Sequence, residues 1–334
     1  MQPVGRRVTI RDVARAAGVS TATVSQVLNG SRPVAEVTRL RIEEVVAELG
    51  YRPNTFARGL KTLRSQLVGV VLPDLSNPFY PSLVRGAQEQ LRLSGYHAVV
   101  VNTDADRTQE RELVTELIAR QVDGLVLITF TLSESEYAAI AAKGVPFVVV
   151  GRTNGFDHVH TSDHAAAFEM TTYLLDAGYD SVAHVSGPTG AGAGPAAPRL
   201  AGYREAMRKR GLRGAKARVV HGEFTVAGGH KAMVRLLESE DRPRAVFCAN
   251  DLMALGAIEA ARAYGLRVPT DLAVAGFDDI DAASLVRPSL TTVGHSAAEM
   301  GAKAAGLLLG RMSGGDGPPS DVEVGFELKR RESA

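Results

Sequence analysis

Two periodicities divide the chain. Between Val8 and Leu49 the apolar positions recur at helical spacing: Ile10, Val13, Ala14 and Ala17, then Val24, Val27 and Leu28, then Val37, Leu40, Ile42, Val45, Val46 and Leu49. The spacing predicts three short helices, the first capped by Thr9, the second by Ser20, and the third covering about 35–49. A tight turn at Gly18-Val19 joins the first two. Ala14, Gly18 and Val24 then supply the small residue, the turn-former and the apolar wedge that a helix-turn-helix needs. Packing of this kind leaves Thr21, Ala22, Ser25, Gln26 and Asn29 on the outer side of the second helix.

Beyond Gln66 the pattern switches to near-continuous apolar runs of strand length: LVGVVLP, HAVVVNT, DGLVLIT and PFVVVG, then SVAHVS, ARVVHG, AVFCAN and LAVAGF. Such runs belong to parallel strands covered on both faces. Helical stretches separate them at Leu83 to Leu93, Gln109 to Ala119 and Glu134 to Ala142 in the first set. In the second set they fall at Arg199 to Arg210, Gly228 to Leu237, Leu252 to Tyr264 and Ala297 to Leu309. The expected architecture is a helical head followed by two doubly wound α/β units with a cleft between them.

In such sheets ligands sit beyond the carboxyl ends of the strands. The residues after each strand therefore nominate the cleft. Asn77, Phe79 and Tyr80 follow LVGVVLP, Phe224 follows the strand ending near His221, Asn250 and Asp251 follow AVFC, and Asp278 and Asp279 follow AVAGF. Arg199 opens the helical RLAGY. Carboxylates accept hydroxyl protons while a guanidinium donates to ring or carboxylate oxygens, which suits sugars and nucleobases alike.

Charge sharpens the division. Residues 1–64 hold eleven Lys or Arg against five Asp or Glu, whereas the remainder holds 27 against 32. A basic head on a mildly acidic body points one end at a polyanion. The second helix can then enter a major groove, with Gln26 pairing bidentately with adenine and Ala22 meeting a thymine methyl, while Thr21 and Ser25 complete the reading face. Thr9, Arg11, Ser20, Ser31, Arg32 and Tyr51 would hold the phosphate backbone. Between head and body, YRPNTFARGLKTLR reads as a linker with a weak helical tendency, limited by Pro53 and Gly59.

A single cysteine, Cys248, excludes an internal disulfide, and the chain carries neither a secretion signal nor a run long enough to span a membrane, so a cytoplasmic protein is expected. Gly190, Gly192 and Gly194 give G-x-G-x-G, which is neither a dinucleotide fingerprint nor a phosphate loop; no cofactor is expected, and the segment reads as a surface loop, with an anionic effector as the alternative. In DHVHTSDH, His158 and His160 share a strand face with Asp163 and His164 just beyond, but a lone histidine pair is thin support for zinc, and no metal is expected. No Ser-His-Asp order or paired carboxylate has a supporting context, so an enzyme is not expected.

The run VTIRDVARAAGVSTATVSQVLNG followed by AELGYRPNTFARGLKT resembles the DNA-binding head and hinge of the lactose-repressor (LacI-type) family of bacterial transcription regulators. The similarity continues through SNPFY, RLAGY, CANDLMALGAI, VAGFDD and PSLTTV. The resemblance implies a periplasmic-binding-protein-like body and a division into a head (1–50), a hinge (51–64) and a body (65–334). Within the body it implies one subdomain of about 65–163 plus 294–322 and another of about 164–293 plus 323–334. It also implies a homodimer on a pseudo-palindromic operator, with Leu60 as a minor-groove wedge, Asn54 and Ala57 near the groove, and Arg58 or Lys61 near phosphates.

A sugar or related metabolite would bind the cleft, with Arg199 and Asp278 as a polar clamp, Asn250 as a bidentate amide and Phe224 as a stacking face. Asp163 stands at its usual place in a crossover between subdomains, and His295 after PSLTTVG would line the cleft. Two departures bear on the ligand. Gly151 stands where the family often has Asp, and GPTGAGAGPAAP (187–198) replaces the usual hydroxyl residues ahead of Arg199. Dimerisation is expected through the body, and without a terminal leucine heptad no coiled-coil tetramer is expected. The alternative is a solute-binding receptor of transport type sharing the two-lobed body; the head and the missing signal peptide oppose it.

Overall fold

The computed structural model describes residues 8–29, 32–51, 64–190 and 194–334, without the side chains of Asn29, Ala215 and Lys216. Ser31, Asn54, Ala57, Arg58, Leu60 and Lys61 lie outside the described residues, as does the Asn29 side chain. The chain divides into two compact units, Met1–Ser65 and Gln66–Ala334.

In the first unit α1 (Ile10–Ala17), α2 (Thr21–Asn29) and α3 (Glu36–Leu49) enclose Val13, Ala14, Ala17, Val24, Ile42 and Val45. Thr9 begins α1 through a reciprocal pair with Asp12, its N–H and its hydroxyl donating to the carboxylate at 2.9 and 2.7 Å. Gly18 ends the helix in the left-handed region at φ 67°, and Val19 N donates back to Ala14 O at 3.0 Å. A side chain at Gly18 would strain this turn and reaim α2. Ser20 Oγ then accepts from Thr23 N at 3.0 Å, opening α2 as its spacing predicted.

The third helix departs from the expected core. Ile42 and Val45 are buried, but Val37 is 81% exposed and Leu40 53%, because five and two residues before Ile42 fall on the far side of a 3.6-residue helix. Leu49 shares the inward face, but as the last residue of α3 it too is exposed.

The second unit contains two six-stranded sheets. The first, in the order β11-β5-β4-β3-β1-β2, uses β1 (Leu67–Leu72), β2 (His97–Asn102), β3 (Gly124–Leu127), β4 (Phe147–Val150), β5 (His158–His160) and β11 (Asp321–Glu323), all parallel. The second, in the order β12-β10-β9-β8-β6-β7, uses β6 (Val182–Ser186), β7 (Val219–His221), β8 (Ala245–Cys248), β9 (Ala273–Asp278), β10 (Thr291–His295) and β12 (Phe326–Lys329). Here β12 runs antiparallel to β10.

Alternate residues of each strand serve opposite faces, as pleating requires. Val68, Val70 and Leu72 meet α4 (Phe79–Leu93) and α12 (Ala297–Met312) on one side of the first sheet. Val71 meets α5 (Arg107–Ala119) and α6 (Glu134–Ala141) on the other. In the second sheet Phe247, Ala275 and Phe277 pack on α7 (Asp163–Asp176) and α8 (Ala196–Lys209), while Val246, Cys248 and Val274 face α9 (Val226–Leu237) and α10 (Asp251–Ala263). The short α11 (Asp281–Leu285) follows β9.

Three passages join the sheets among the described residues: Thr161-Ser162 from β5 to α7, Ser296 from β10 to α12, and Val324-Gly325 from β11 to β12. The helices α7 and α11 and the strands β10, β11 and β12 carry no counterpart among the predicted elements, whereas β5 carries the strand face expected of His158 and His160. No described helix is long and apolar enough to cross a membrane.

Candidate functional site

A cavity of about 580 Å³ lies at the carboxyl ends of strands from both sheets. Nine of the eleven residues nominated for it from the sequence line it, namely Asn77, Phe79, Tyr80, Asp163, Arg199, Phe224, Asn250, Asp278 and His295, whereas Asp251 and Asp279 do not. The nine come from the turn before α4 and its first two residues, from the start of α7, from α8, and from the residues at the ends of β7 to β10.

Arg199 is the centre of the polar wall. It is buried, donates through Nε to Asp163 Oδ1 at 2.7 Å and through Nη1 to Ala249 O at 2.5 Å, and lies 3.4 Å from Asp278 Oδ1. Its guanidinium carbon stands 3.5 Å from the centre of the Phe277 ring. Burial opposes the charge, yet Asp163 and Asp278 outweigh it and hold the Arg199 pKa above its ordinary value. Opposite, burial raises the Tyr80 pKa, helped by the negative charge of Asp278, so its hydroxyl stays protonated.

Asp278 reaches this position through an unusual backbone, φ 112°, followed by Asp279 at φ 56°. Two side-chain anchors hold that turn. Asp251 accepts from Ile280 N at 2.9 Å and from Thr292 Oγ1 at 2.5 Å, and Arg331 donates to Asp279 at 2.6 Å. Burial, with Asp278 nearby, raises the Asp251 pKa well above the carboxylate range. Asp251 was nominated beside Asn250 but sits behind the wall and positions it.

His295 Nε2 faces Asp278 Oδ1 at 3.4 Å, and its ring lies 4.9 Å from Phe79; its buried Nδ1 has no hydrogen-bond partner among the described residues. The amide of Asn250 differs from the bidentate role implied by resemblance. Its Oδ1 accepts from Met253 N at 2.9 Å and its Nδ2 donates to Phe224 O at 3.0 Å, so it caps α10 and tethers the Phe224 loop. Phe224 itself has φ 56° and lies against Gly187, where a Cβ would fall 2.3 Å from the ring. Gly187 opens the glycine-rich departure, and this close approach is one reason a side chain is missing there.

Other lining residues were missed, among them Phe130, Glu134, Tyr137, Arg152, His160 and Pro198. Phe130 follows β3 and Arg152 follows β4, so both stand beyond strand ends, where the sequence pattern of the other strands places cleft residues. Tyr137 is buried with its hydroxyl 2.7 Å from Thr129 Oγ1, and burial pushes its pKa up to about 12.

In the head, Thr21 and Ala22 are exposed while Ser25 and Gln26 are half-buried on the same helix. Thr9, Arg11, Ser20 and Arg32 are exposed around it, and Tyr51 is half-buried against the head core. A short helix bearing small polar residues and an amide beyond a tight turn has the shape of a groove reader.

Comparison with known proteins bears on both units. Residues 9–54 match the family of bacterial regulatory proteins of the lacI type, and residues 171–334 match a periplasmic binding protein-like domain. The chain is 36% identical over 329 residues to catabolite control protein A of Priestia megaterium, covering 98% of this chain and 99% of that one. The chain belongs to the lacI family of bacterial regulatory proteins. Among solved structures, the lac repressor dimer bound to operator and the anti-inducer ONPF matches with a TM-score of 0.88 at 28% identity, covering 98% of this chain and 99% of that one. A complex of the transcriptional regulator CelR with cellobiose matches with a TM-score of 0.74 at 32% identity, covering 98% and 100%.

As a lacI-family member the chain is a DNA-binding transcriptional regulator. The head matched at residues 9–54 disfavours the transport-receptor alternative, and the relatives are regulators rather than enzymes.

Proposed function

We propose that this lacI-family regulator acts in the cytoplasm as a homodimeric repressor, binding a pseudo-palindromic operator under control of a neutral polyhydroxylated effector, a sugar or close derivative, held in the cavity of the body. The division into head (1–50), hinge (51–64) and body (65–334) follows from that reading. Thr21, Ala22, Ser25 and Gln26 read base edges; Thr9, Ser20, Arg32 and Tyr51 position the head on phosphates. In the hinge, Leu60 wedges the minor groove with Asn54 and Ala57 beside it.

The observation that carries the effector class is the compensated clamp. Arg199 already has Asp163 and Asp278 at 2.7 and 3.4 Å, so its charge calls for no anion, while the paired groups can trade hydrogen bonds with hydroxyls. The Phe79 and Phe224 rings line the same cavity and offer faces to the apolar side of a sugar ring. The likeness to a cellobiose-bound regulator supports this class. Effector closing the two sheets about the three passages would alter the spacing of paired hinges, and the shift in operator affinity equals the effector's differential affinity for the two closures.

A thermal-shift panel of neutral sugars, nucleosides and sugar phosphates, followed by operator titration with each hit, tests the reading. A neutral sugar that shifts both melting and operator affinity is expected. Response confined to sugar phosphates would overturn the effector class but leave the DNA-binding assignment standing.

A further inference from the structure

At the edge of the first sheet, β11 lies in parallel register on β5 and sets Asp321 opposite His158. His158 and His160, two residues apart, share one face, with ring centres 5.5 Å apart. Asp321 Oδ1 stands 3.2 Å from His158 Nε2 and 2.7 Å from His160 Nε2. The second nitrogen of each ring also faces an oxygen: His158 Nδ1 is 2.9 Å from Phe156 O, and His160 Nδ1 is 3.1 Å from Thr161 O.

A carbonyl oxygen can only accept, so each Nδ1 carries a proton. That leaves each Nε2, the ligand nitrogen of a metal-bound histidine, aimed at the same carboxylate oxygen. Three atoms of metal-ligand type converge, and both rings are buried, with side chains 10% and 3% exposed. One divalent cation satisfies all three atoms at once, with each Nδ1–H donating to its carbonyl, the usual support of a metal-bound histidine.

We propose that His158, His160 and Asp321 form a binding site for one divalent transition-metal cation of the zinc class. The ligand atoms all lie within 4.8 Å of one another, and tetrahedral zinc separates its ligand atoms by about 3.3 Å. Two imidazoles and one carboxylate suit zinc rather than calcium or magnesium, which take oxygen ligands. Asp321 is largely exposed, which leaves the remaining coordination positions to water. His160 stands just before the first passage between the sheets and Asp321 just before the third, so the ion would tie together the starts of two of them.

The test uses the untagged full chain, stripped with chelator and titrated with zinc chloride by calorimetry and by thermal unfolding. One equivalent of zinc should bind with a saturable rise in melting temperature. Asp321→Asn and His160→Gln should each weaken binding by about tenfold or more, whereas His164→Gln and His230→Gln should leave it unchanged. Asp321→Asn removes an exposed carboxylate, so circular dichroism and operator binding should stay as in the parent and separate lost coordination from lost folding. Absence of saturable binding, or binding undiminished in both ligand variants, would overturn the proposal.

Discussion

Arg199→Met removes the charge at the centre of the cavity wall while keeping much of the aliphatic volume. Three partners lose it: Asp163 at 2.7 Å, the Ala249 carbonyl at 2.5 Å and Asp278 at 3.4 Å. Asp278 is the expensive one, because its side chain is 7% exposed and loses its guanidinium partner where little water can replace it. Removing one partner of a buried pair costs about 3 to 5 kcal/mol. The Asp163 side chain is 20% exposed, and water takes over part of its share, which places the expectation near the lower end, about 3 kcal/mol. Against a typical stability of roughly 5 to 15 kcal/mol the variant still folds at 25 °C.

Urea unfolding followed by far-ultraviolet circular dichroism measures this, since the chain has no tryptophan. Asp278→Asn in the same background should restore part of the loss, because a neutral amide needs no cation, and the pair should therefore be strongly non-additive. Operator binding at 25 °C should survive in Arg199→Met, and effector response should vanish. A loss below about 1 kcal/mol, the scale of an ordinary substitution, together with an intact effector response, would refute the clamp.

Three further outcomes follow from the same reasoning. Gln26→Ala should relax base preference at one position of each half-site at a cost of about 1 to 3 kcal/mol, read from a binding-site selection; an unchanged preference would remove Gln26 from the reading face. Leu60→Ala should weaken operator binding and reduce DNA bending, and equal bending in a circular-permutation gel assay would exclude the wedge. His184 is buried between Tyr203 and Phe247, and burial pushes its pKa down to about 3. Folding therefore favours the neutral ring: that stability is complete above the unfolded value near 6.5 and declines toward pH 3 by about 1.4 kcal/mol per pH unit, or ~2 to 3 kcal/mol at pH 4.5. His184→Gln should flatten that part of the stability curve, and parallel curves for the two proteins would count against it.

Much of the architecture was legible because long, strongly patterned segments speak for themselves. The runs at Leu67–Leu72 and Ala273–Asp278, near-continuously apolar, are buried along nearly their whole length, as expected of central parallel strands. The three-residue strand at Asp321–Glu323 is too short to show a period, and its pairing with His158–His160 joins segments far apart in sequence. Helix α7 hides for a different reason: its inward stripe is mostly small, with Ala166, Ala167 and Thr171 beside Met170 and Leu174, and its helical start is merged with a passage between sheets.

The cavity residues could be named because topology places them at strand ends. The use of each one could not, because that depends on partners the sequence leaves distant. Asn250 has the right place for a ligand amide, but Met253 N and the Phe224 carbonyl take both of its ends. Val37 and Leu40 show the opposite error, apolar residues assigned inward by type although helical geometry turns them out.

The three passages at Thr161-Ser162, Ser296 and Val324-Gly325 also govern how such a protein can be inherited. Each half of the body is assembled from separated stretches of gene, so a recombination event that swaps one half must place several junctions correctly at once. The head meets the body at a single junction. Operator recognition can therefore be exchanged between relatives in one crossover, while a new effector must be acquired by point substitution within an inherited cavity. That asymmetry favours lineages in which related bodies come to serve many operators faster than related heads come to serve many ligands.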